Sequence, residues 1–166
     1  ASGLLADGSA AVVVAGDNVK ADGPEILGHS SSFYRDTEHL MGWDISEEGF
    51  QIVLSPDVPD AIHKNFPRDV DTFLAGFGMK RADIGTWIMH TGGPKVLDAS
   101  AEALGLPREA FAASWDSLRN NGNMSSASVL LVLEDYMLNR RPAAGSYSVL
   151  AAMGPGFCSE LVLLRW

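Results

Sequence analysis

Cysteine is almost missing from this sequence, because Cys158 is the one cysteine among 166 residues. A single thiol cannot build an intrachain disulfide framework, and this composition fits a reducing compartment. Positive charge is also scarce: 12 Lys and Arg stand against 21 Asp and Glu, a formal net charge of -9. No basic run is present that could neutralise phosphates, which excludes a nucleic-acid surface. The acidic residues are scattered, as on a solvated surface.

Long apolar runs are absent as well. No stretch approaches the roughly 20 residues of a membrane span. We therefore expect neither a signal peptide nor a membrane contact, and we predict a cytoplasmic location. The hydrophobic content of 46% is still enough for one globular domain with a substantial core, which we predict to occupy residues 1–166.

The beginning of the chain contains its most uniform apolar run. The first residue is Ala1, and residues 10–15 already form an apolar stretch with three central valines. Such a stretch predicts a strand buried on both faces, as in a sheet between helices. Because no upstream strand precedes it, we expect the chain to be the later part of a longer protein.

Strand and helix patterns alternate along the rest of the chain. Predicted strands cover residues 49–54, 86–90, 147–153 and 160–166, with a possible short strand at 31–34. Predicted helices cover residues 58–77, 94–104, 107 to about 120, and about 127–138. Pro67 predicts a kink or a break in the first helix. The last two strands form an antiparallel pair, so the pattern predicts a layered α/β half-domain.

The polar segment at residues 17–44 carries side chains that could bind a metal ion. These are His29, Asp36, Glu38, His39 and Asp44. Their spacing matches no metal-binding motif, so we interpret the segment as a solvated loop and predict no metal and no cofactor. His63, beside the apolar stripe of the first helix, is interpreted as structural or exposed.

His90 follows a short apolar strand and precedes a glycine turn. Pro94 then begins a helix, where its missing N–H costs nothing because first-turn amides have no helical partner. A histidine at the carboxyl end of a buried strand, facing a helix N-terminus, is where α/β proteins often place chemistry. The alternative interpretation is a hydrogen-bonded core histidine.

Asn123 lies in a second glycine junction, just ahead of a helix. One interpretation is an N-cap, which asparagine provides well. The other is that its amide N–H donates to an oxygen that develops negative charge, together with a neutral His90. Two such donors form an oxyanion hole, which stabilises an enolate or a tetrahedral intermediate.

No nucleophile accompanies these donors in the sequence. Cys158 lies in the final apolar hairpin, where we interpret it as a small buried hydrophobic residue. Ser125 and Ser126 lack the strand-to-helix elbow of serine hydrolases.

Three glycine-containing strings carry a resemblance to a known family. They are His90-Thr-Gly-Gly-Pro94, Gly122-Asn123-Met-Ser-Ser126 and Gly154-Pro-Gly156. In this order they resemble the C-terminal half of the type III polyketide synthases, the chalcone and stilbene synthase family. The resemblance extends over nearly the whole chain, from Asp7-Gly8 to the last strand. It implies the C-terminal half of a thiolase-like fold, with a mixed sheet packed between helices.

The resemblance implies an acyltransferase that uses coenzyme A thioesters. Enzymes of this family load an acyl group from acyl-CoA onto a cysteine, decarboxylate malonyl-CoA and join the resulting enolate to the acyl group. His90 and Asn123 match the catalytic histidine and asparagine, which polarise the thioester carbonyl and stabilise the enolate. The nucleophilic cysteine belongs to an N-terminal domain that this chain lacks, so we expect the isolated chain to be inactive. A homodimer is expected for the full-length enzyme.

The resemblance also assigns a substrate cavity. Ser125, Gly154 and Pro155 match positions that line it, and Ile52 falls where plant enzymes carry a phenylalanine, which suggests room for a different starter group. Thr91 replaces the usual plant proline. Two alternatives remain: a fragment of a condensing enzyme similar to ketoacyl synthase III, or a non-catalytic thiolase-like module whose exposed sheet edge or apolar face is covered by self-association.

Overall fold

A computed structural model describes residues 3–166 of the chain. Its strands are β1 (Glu25–Phe33), β2 (Met41–Ser46), β3 (Gly49–Leu54), β4 (Ile84–Met89), β5 (Tyr147–Gly154) and β6 (Cys158–Arg165). Its helices are α1 (Val58–Ala75), α2 (Pro94–Leu104), α3 (Ala112–Asn121) and α4 (Ala127–Leu138). A short 3-10 helix, Arg108–Phe111, precedes α3, so the helix predicted from residue 107 starts as a tighter turn.

Four strands form a mixed sheet in the order β1-β6-β5-β4. β4 runs parallel to β5, whereas β6 is antiparallel to both β5 and β1. Parallel strands end at the same edge of a sheet, so the carboxyl ends of β4 and β5 lie side by side. That edge is where the sequence predicts the chemistry.

The sheet is packed between helices because its central strands are apolar on both sides. Side chains that alternate along β4, β5 and β6 belong to two separate cores. Trp87, Met89, Val149, Ala151, Leu161 and Leu163 pack with α1 and α2. Ile88, Leu150, Val162 and Leu164 pack with Ala113 of α3 and with α4. The predicted mixed sheet between helices is therefore confirmed.

The long helix α1 supplies the largest apolar stripe. Ile62, Phe66, Val70 and Leu74 are at most 1% exposed and repeat at helical spacing. The break expected at Pro67 is absent, since one helix runs from Val58 to Ala75. Proline in a helix interior costs about 3 kcal/mol, and the adjacent buried stripe offsets that cost, since each large apolar side chain contributes about 1.5–3 kcal/mol.

The strand predicted at residues 10–15 is wrong. These residues have no regular structure, and Val13 is 98% exposed. An apolar sequence favours a strand only where a neighbouring strand accepts its hydrogen bonds. No described strand of this chain lies beside this run.

A two-stranded ribbon, β2 with β3, was missed in part. The sequence predicts β3, but it predicts an irregular polar segment before it, up to residue 44. The structure instead pairs β2 with β3 in register from Met41–Leu54 to Ser46–Gly49. The possible strand at 31–34 is the last part of the nine-residue β1. Met41, Trp43 and Ile45 alternate with Gly42, Asp44 and Ser46, so the period-two pattern of a strand is present in this segment.

Among the described helices, none combines the length and the apolar character that a membrane crossing requires.

Candidate active site

β4 delivers His90 to the carboxyl edge of the sheet. The strand is almost completely buried at Trp87, Ile88 and Met89. His90 continues its pairing with β5, since the His90 backbone N–H donates to the Ala151 carbonyl at 2.9 Å. The next turn closes when the Gly92 N–H donates to the His90 carbonyl at 3.0 Å. The histidine therefore begins a tight turn at the end of a rigid strand.

His90 is half-buried, and this burial lowers the pKa of its imidazole below the ordinary histidine value. A lowered pKa favours the neutral ring at pH 7. A neutral imidazole has one N–H donor and one acceptor nitrogen. His90 can therefore donate a hydrogen bond without carrying a positive charge.

Gly93 makes the turn after His90 possible. Its φ of 147° and ψ of 167° lie in a region that only glycine adopts readily. Pro94 follows in the first turn of α2, as predicted, and the Leu97 N–H donates to the Gly93 carbonyl at 3.1 Å. The N-terminus of α2 thus lies directly after the His90 turn.

Asn123 is joined to the His90 turn by hydrogen bonds. Its Nδ2 donates to the Gly92 carbonyl at 3.2 Å. The Thr91 hydroxyl, on a fully buried residue, donates to the Gly122 carbonyl at 3.3 Å. Two junctions that are 31 residues apart in the sequence therefore form one hydrogen-bonded unit, which places Asn123 beside the turn that follows His90.

The orientation of the Asn123 amide is fixed from its oxygen end. The Ser125 N–H donates to Asn123 Oδ1 at 2.9 Å, a local bond just before α4. Because Oδ1 is held by this bond, Nδ2 faces the His90 turn. The N-cap interpretation of Asn123 is wrong, because Ser126 is the N-cap residue of α4. One N–H of the Asn123 amide donates to the Gly92 carbonyl, and the amide carries a second N–H donor.

The backbone of Asn123 has partners that the sequence did not reveal. The Asn123 N–H donates to the Leu4 carbonyl at 2.7 Å, and the Ala6 N–H donates to the Asn123 carbonyl at 2.9 Å. The Gly122 backbone lies close to the segment that contains Leu4, because a Cβ at Gly122 would be 3.1 Å from the Leu4 carbonyl oxygen. The turn signal at Asp7-Gly8 indicates that a segment ends here, but not what it contacts.

Gly154 and Pro155 lie at the same sheet edge as His90. Gly154 ends β5, three residues after Ala151, which accepts the His90 hydrogen bond. Cys158 pairs with Gly154 across the turn and is half-buried. Burial and the nearby Glu160 carboxylate raise the pKa of its thiol, which disfavours the nucleophilic thiolate. At pH 7 the Cys158 thiol is therefore mainly protonated.

Ser125 and Ile52 occupy different positions relative to this edge. Ser125 is exposed, two residues after Asn123, with a left-handed φ of 54°. Ile52 lies on β3, opposite Trp43, and is 39% exposed. The ribbon that carries it is tied to the Gly154–Gly156 turn, because the Gly156 N–H donates to the Met41 carbonyl at 3.2 Å.

Two surface cavities of the described residues lie away from the His90 turn. One surface cavity of about 420 Å³ lies between β1 and α1, and one of about 480 Å³ lies beside α3. Neither is lined by His90 or Asn123.

Within residues 3–166, no three His, Cys, Asp or Glu side chains are grouped so that they could hold a metal ion. Two hydrogen-bond donors beside a helix N-terminus can stabilise an oxyanion.

A protein-family model matches most of this chain. The model described as "Chalcone and stilbene synthases, C-terminal domain" matches residues 25–166. It covers β1 to β6, including His90, Asn123 and the Gly154–Gly156 turn.

Curated relatives agree with that match. A 1,3,6,8-tetrahydroxynaphthalene synthase from Streptomyces peucetius subsp. caesius is 49% identical over 100% of this chain and 45% of its own length. A putative chalcone synthase from Bacillus subtilis (strain 168) is 35% identical over 98% of this chain and 46% of its own. The chain thus spans about half the length of these relatives.

A solved structure shares the fold. The 1,3,6,8-tetrahydroxynaphthalene synthase from Streptomyces coelicolor A3(2), a bacterial type III polyketide synthase, superposes with a TM-score of 0.84 at 27% identity. The match covers 89% of this chain and 42% of that structure. The thiolase-like architecture expected from the sequence is therefore confirmed, and the ketoacyl-synthase alternative gains no support from the family match.

Proposed function

Since this chain belongs to the chalcone and stilbene synthase family, we propose that it is the C-terminal part of a type III polyketide synthase. The proposed activity is acyl transfer, in which an acyl-CoA starter is condensed with malonyl-CoA by decarboxylative Claisen chemistry. The observation that carries the proposal is the hydrogen-bonded unit of the His90 turn and Asn123. It joins two potential donors at one edge of the sheet.

The proposed chemistry uses His90 and Asn123 as a pair of donors. Both donate to the thioester carbonyl oxygen of malonyl-CoA. Loss of carbon dioxide leaves an electron pair that is delocalised onto that oxygen as an enolate, and the two donors stabilise its negative charge. The enolate carbon then attacks the acyl thioester and displaces a thiolate.

The acyl thioester is formed on a residue outside this chain. Cys158 is the one thiol in the sequence, and it lies across the turn from Gly154. Its pKa is raised, which disfavours the thiolate form. We therefore propose that the nucleophilic cysteine is supplied by an N-terminal domain and that the isolated chain is inactive. No cofactor other than the coenzyme A thioester substrates is proposed. A cytoplasmic location and a homodimer of the full-length enzyme belong to the same proposal.

The cavity wall is proposed to include Ser125, Gly154, Pro155 and Ile52. Gly154 ends β5, the strand that holds the His90 backbone, and Pro155 comes directly after it. Ser125 lies two residues after Asn123. Ile52 belongs to a ribbon tied to the same turn. An aliphatic side chain at this ribbon position leaves more room than a phenylalanine, so the starter group is proposed to be aliphatic.

The test of the donor pair uses a full-length enzyme that carries this chain as its C-terminal part. His90→Ala and Asn123→Ala should each lower malonyl-CoA decarboxylation by about 10²–10³-fold, as for the loss of one oxyanion donor. Matched controls are His63→Ala and Asn18→Ala, at exposed positions. Near-normal decarboxylation in either donor variant would refute the assigned roles.

The test of the missing nucleophile uses the chain alone. Incubation with an acyl-CoA and labelled malonyl-CoA should give no labelled condensation product. Addition of a separately produced N-terminal domain should restore product formation. Efficient condensation by the chain alone would show that a nucleophile is present in it.

A non-catalytic module that self-associates is the second candidate, and one observation favours it. One face of the β2–β3 ribbon is entirely apolar, and its side chains are half-buried or exposed. Light scattering on the isolated chain distinguishes the two candidates when it is combined with the complementation assay. Stable oligomers that cannot be complemented would favour the module.

A further inference from the structure

Every backbone polar group of Gly156 and Phe157 is bonded to one segment, residues 34–41. The Phe157 carbonyl accepts from the Tyr34 N–H at 3.0 Å, and the Gly156 N–H donates to the Met41 carbonyl at 3.2 Å. The other two groups meet the Thr37 hydroxyl. It accepts from the Phe157 N–H at 2.8 Å and lies 3.2 Å from the Gly156 carbonyl.

Thr37 is the one side chain among these four contacts. Its hydroxyl has a single proton, for which the Tyr34 carbonyl at 2.7 Å competes with the Gly156 carbonyl. The Phe157 N–H is different, because it donates to Thr37 Oγ1 at 2.8 Å and Phe157 is fully buried. Removing the hydroxyl would leave that N–H without this partner, which is costly for a buried donor.

The segment that carries Thr37 is itself firmly placed. Tyr34 and Leu40 are buried at its two ends. The Tyr34 hydroxyl donates to the carboxylate of Asp69, a buried residue of α1, and Ser159 Oγ donates to the same carboxylate at 3.1 Å. The segment is thus anchored to α1 and to β6. Thr37 therefore lies in an anchored segment, from which its hydroxyl contacts the turn.

The contact lies between two proposed walls of the substrate cavity. On one side is the Gly154–Gly156 turn, beside the edge where β4 delivers His90. On the other side Met41 begins the ribbon that carries Ile52. A shift of Gly156 relative to Met41 would move one wall against the other, while the bonds between the His90 turn and Asn123 would remain.

We propose that Thr37 is a positioning residue whose hydroxyl fixes the Gly154–Phe157 turn against the base of the β2–β3 ribbon, and so determines which acyl starter the cavity accepts. Thr37 does not contact the reacting atoms in this account. It acts through Gly154 and Pro155. The inference rests on the proposed function, because it needs those residues to line an acyl cavity.

The test compares Thr37→Val with Thr37→Ser in a full-length enzyme that contains this chain. Valine keeps the shape but removes the hydroxyl, whereas serine keeps the hydroxyl. Thr37→Val should change the ratio of kcat/KM values between a short and a long aliphatic acyl-CoA by at least about fivefold, the scale of one lost buried hydrogen bond. Thr37→Ser should stay within about twofold of the parent ratio.

Two further measurements separate positioning from general damage. Malonyl-CoA decarboxylation, which depends on His90 and Asn123, should stay within about twofold in Thr37→Val. Hydrogen exchange of the Phe157 amide in the isolated chain should become at least about tenfold faster in Thr37→Val but not in Thr37→Ser. Thr72→Val, at an exposed position of α1, is the matched control and should change neither quantity.

The outcomes are distinguishable. An unchanged starter ratio in Thr37→Val, or equal losses of decarboxylation and condensation, overturns the positioning role. If His90→Ala retains decarboxylation, the proposed function fails instead. The Phe157 exchange rate still tests the contact in that case, and an unchanged rate in Thr37→Val overturns it.

Discussion

At the scale of single residues, main-chain geometry determines where His90 and Asn123 lie. The His90 backbone is bonded to Ala151 of the next strand, and the Asn123 backbone is bonded to Leu4 and Ala6. The two turns then join through Thr91 and the Asn123 amide. For the proposed donor pair, this placement means that little reorganisation is needed when charge develops on a substrate, which is the basis of electrostatic stabilisation.

His90 should titrate below the ordinary histidine pKa of about 6.5. Burial disfavours the protonated ring in the folded state. The unfolded chain therefore binds this proton first, and the free energy of unfolding should fall as pH drops through about 6.5 towards the folded pKa, with no contribution above that window. NMR titration and urea unfolding between pH 5 and 8 measure both effects.

The control for this pH effect is His90→Gln, which removes the titrating group. Its unfolding free energy should lack the step that the parent chain shows. A His90 midpoint above 6.5 would contradict the buried neutral ring.

Gly93→Ala should destabilise the chain by about 1–3 kcal/mol, the typical cost of a residue held in a disfavoured backbone region. Gly93 has a φ of 147°, and a Cβ there would also meet Leu4 at 3.4 Å. Gly16→Ala is the control, because a Cβ at Gly16 would find no atom within 4 Å. Equal unfolding free energies for the two variants in urea would argue against strain at Gly93.

At the scale of secondary-structure elements, the sequence predicts those helices and strands that depend on local periodicity. The apolar stripe of α1, the Pro94 start of α2 and the closing antiparallel pair are confirmed because each depends on neighbours in sequence. Residues 10–15 show the limit. Their apolar character predicts a strand, but a strand also needs a partner, and periodicity does not identify one.

The same limit applies to the candidate site. The place of His90 between a strand and a glycine turn predicts a role in the site, and so does the place of Asn123 before a helix. Their hydrogen-bonded connection depends on α3 and on the packing that brings two distant turns together, so composition and spacing could not provide it. Thr37 carries no motif, and its importance follows from contacts 119 and 120 residues away in sequence.

Pro67→Ala should stabilise the chain by about 1 kcal/mol or more, because alanine restores an N–H donor inside α1 and removes a ring that crowds the previous turn. Pro59→Ala is the matched control, since Pro59 lies in the first turn of α1, where N–H groups have no helical partner. Both changes loosen the unfolded chain equally, so their difference in urea unfolding isolates the helix interior.

This comparison can fail in a clear way. If Pro67→Ala is no more stable than Pro59→Ala, the buried stripe does not have to offset a cost at Pro67. The continuity of α1 would then need no compensation from the buried stripe.

At the scale of the whole molecule, two apolar surfaces are left open. One is the apolar face of the β2–β3 ribbon, where Trp43 packs edge-on against Phe50 at 6.3 Å while both remain mostly exposed. The other is the run at residues 12–14. Contiguous exposed apolar patches on a folded domain usually mark a contact with another domain or chain. Both surfaces are typical of a domain that packs against another domain or chain.

The isolated chain should therefore self-associate at micromolar concentration. Replacing Trp43 and Phe50 by serine should lower the mean mass measured by light scattering, because two large apolar contacts are removed from the ribbon face. Gln51→Ser, on the polar ribbon face, is the control. An unchanged mass for the double variant would show that the ribbon is not the associating surface.

Asn123 contacts the segment before β1, and this contact affects which residue should be taken as the start of the domain. The family match starts at residue 25, yet Leu4 and Ala6 supply the backbone partners of Asn123. A protein trimmed to residues 25–166 would retain every side chain assigned to the donor pair and lose two bonds that hold one of them. The unit defined by sequence similarity is thus smaller than the unit defined by the site's own hydrogen bonds, and a split enzyme should be cut upstream of Leu4.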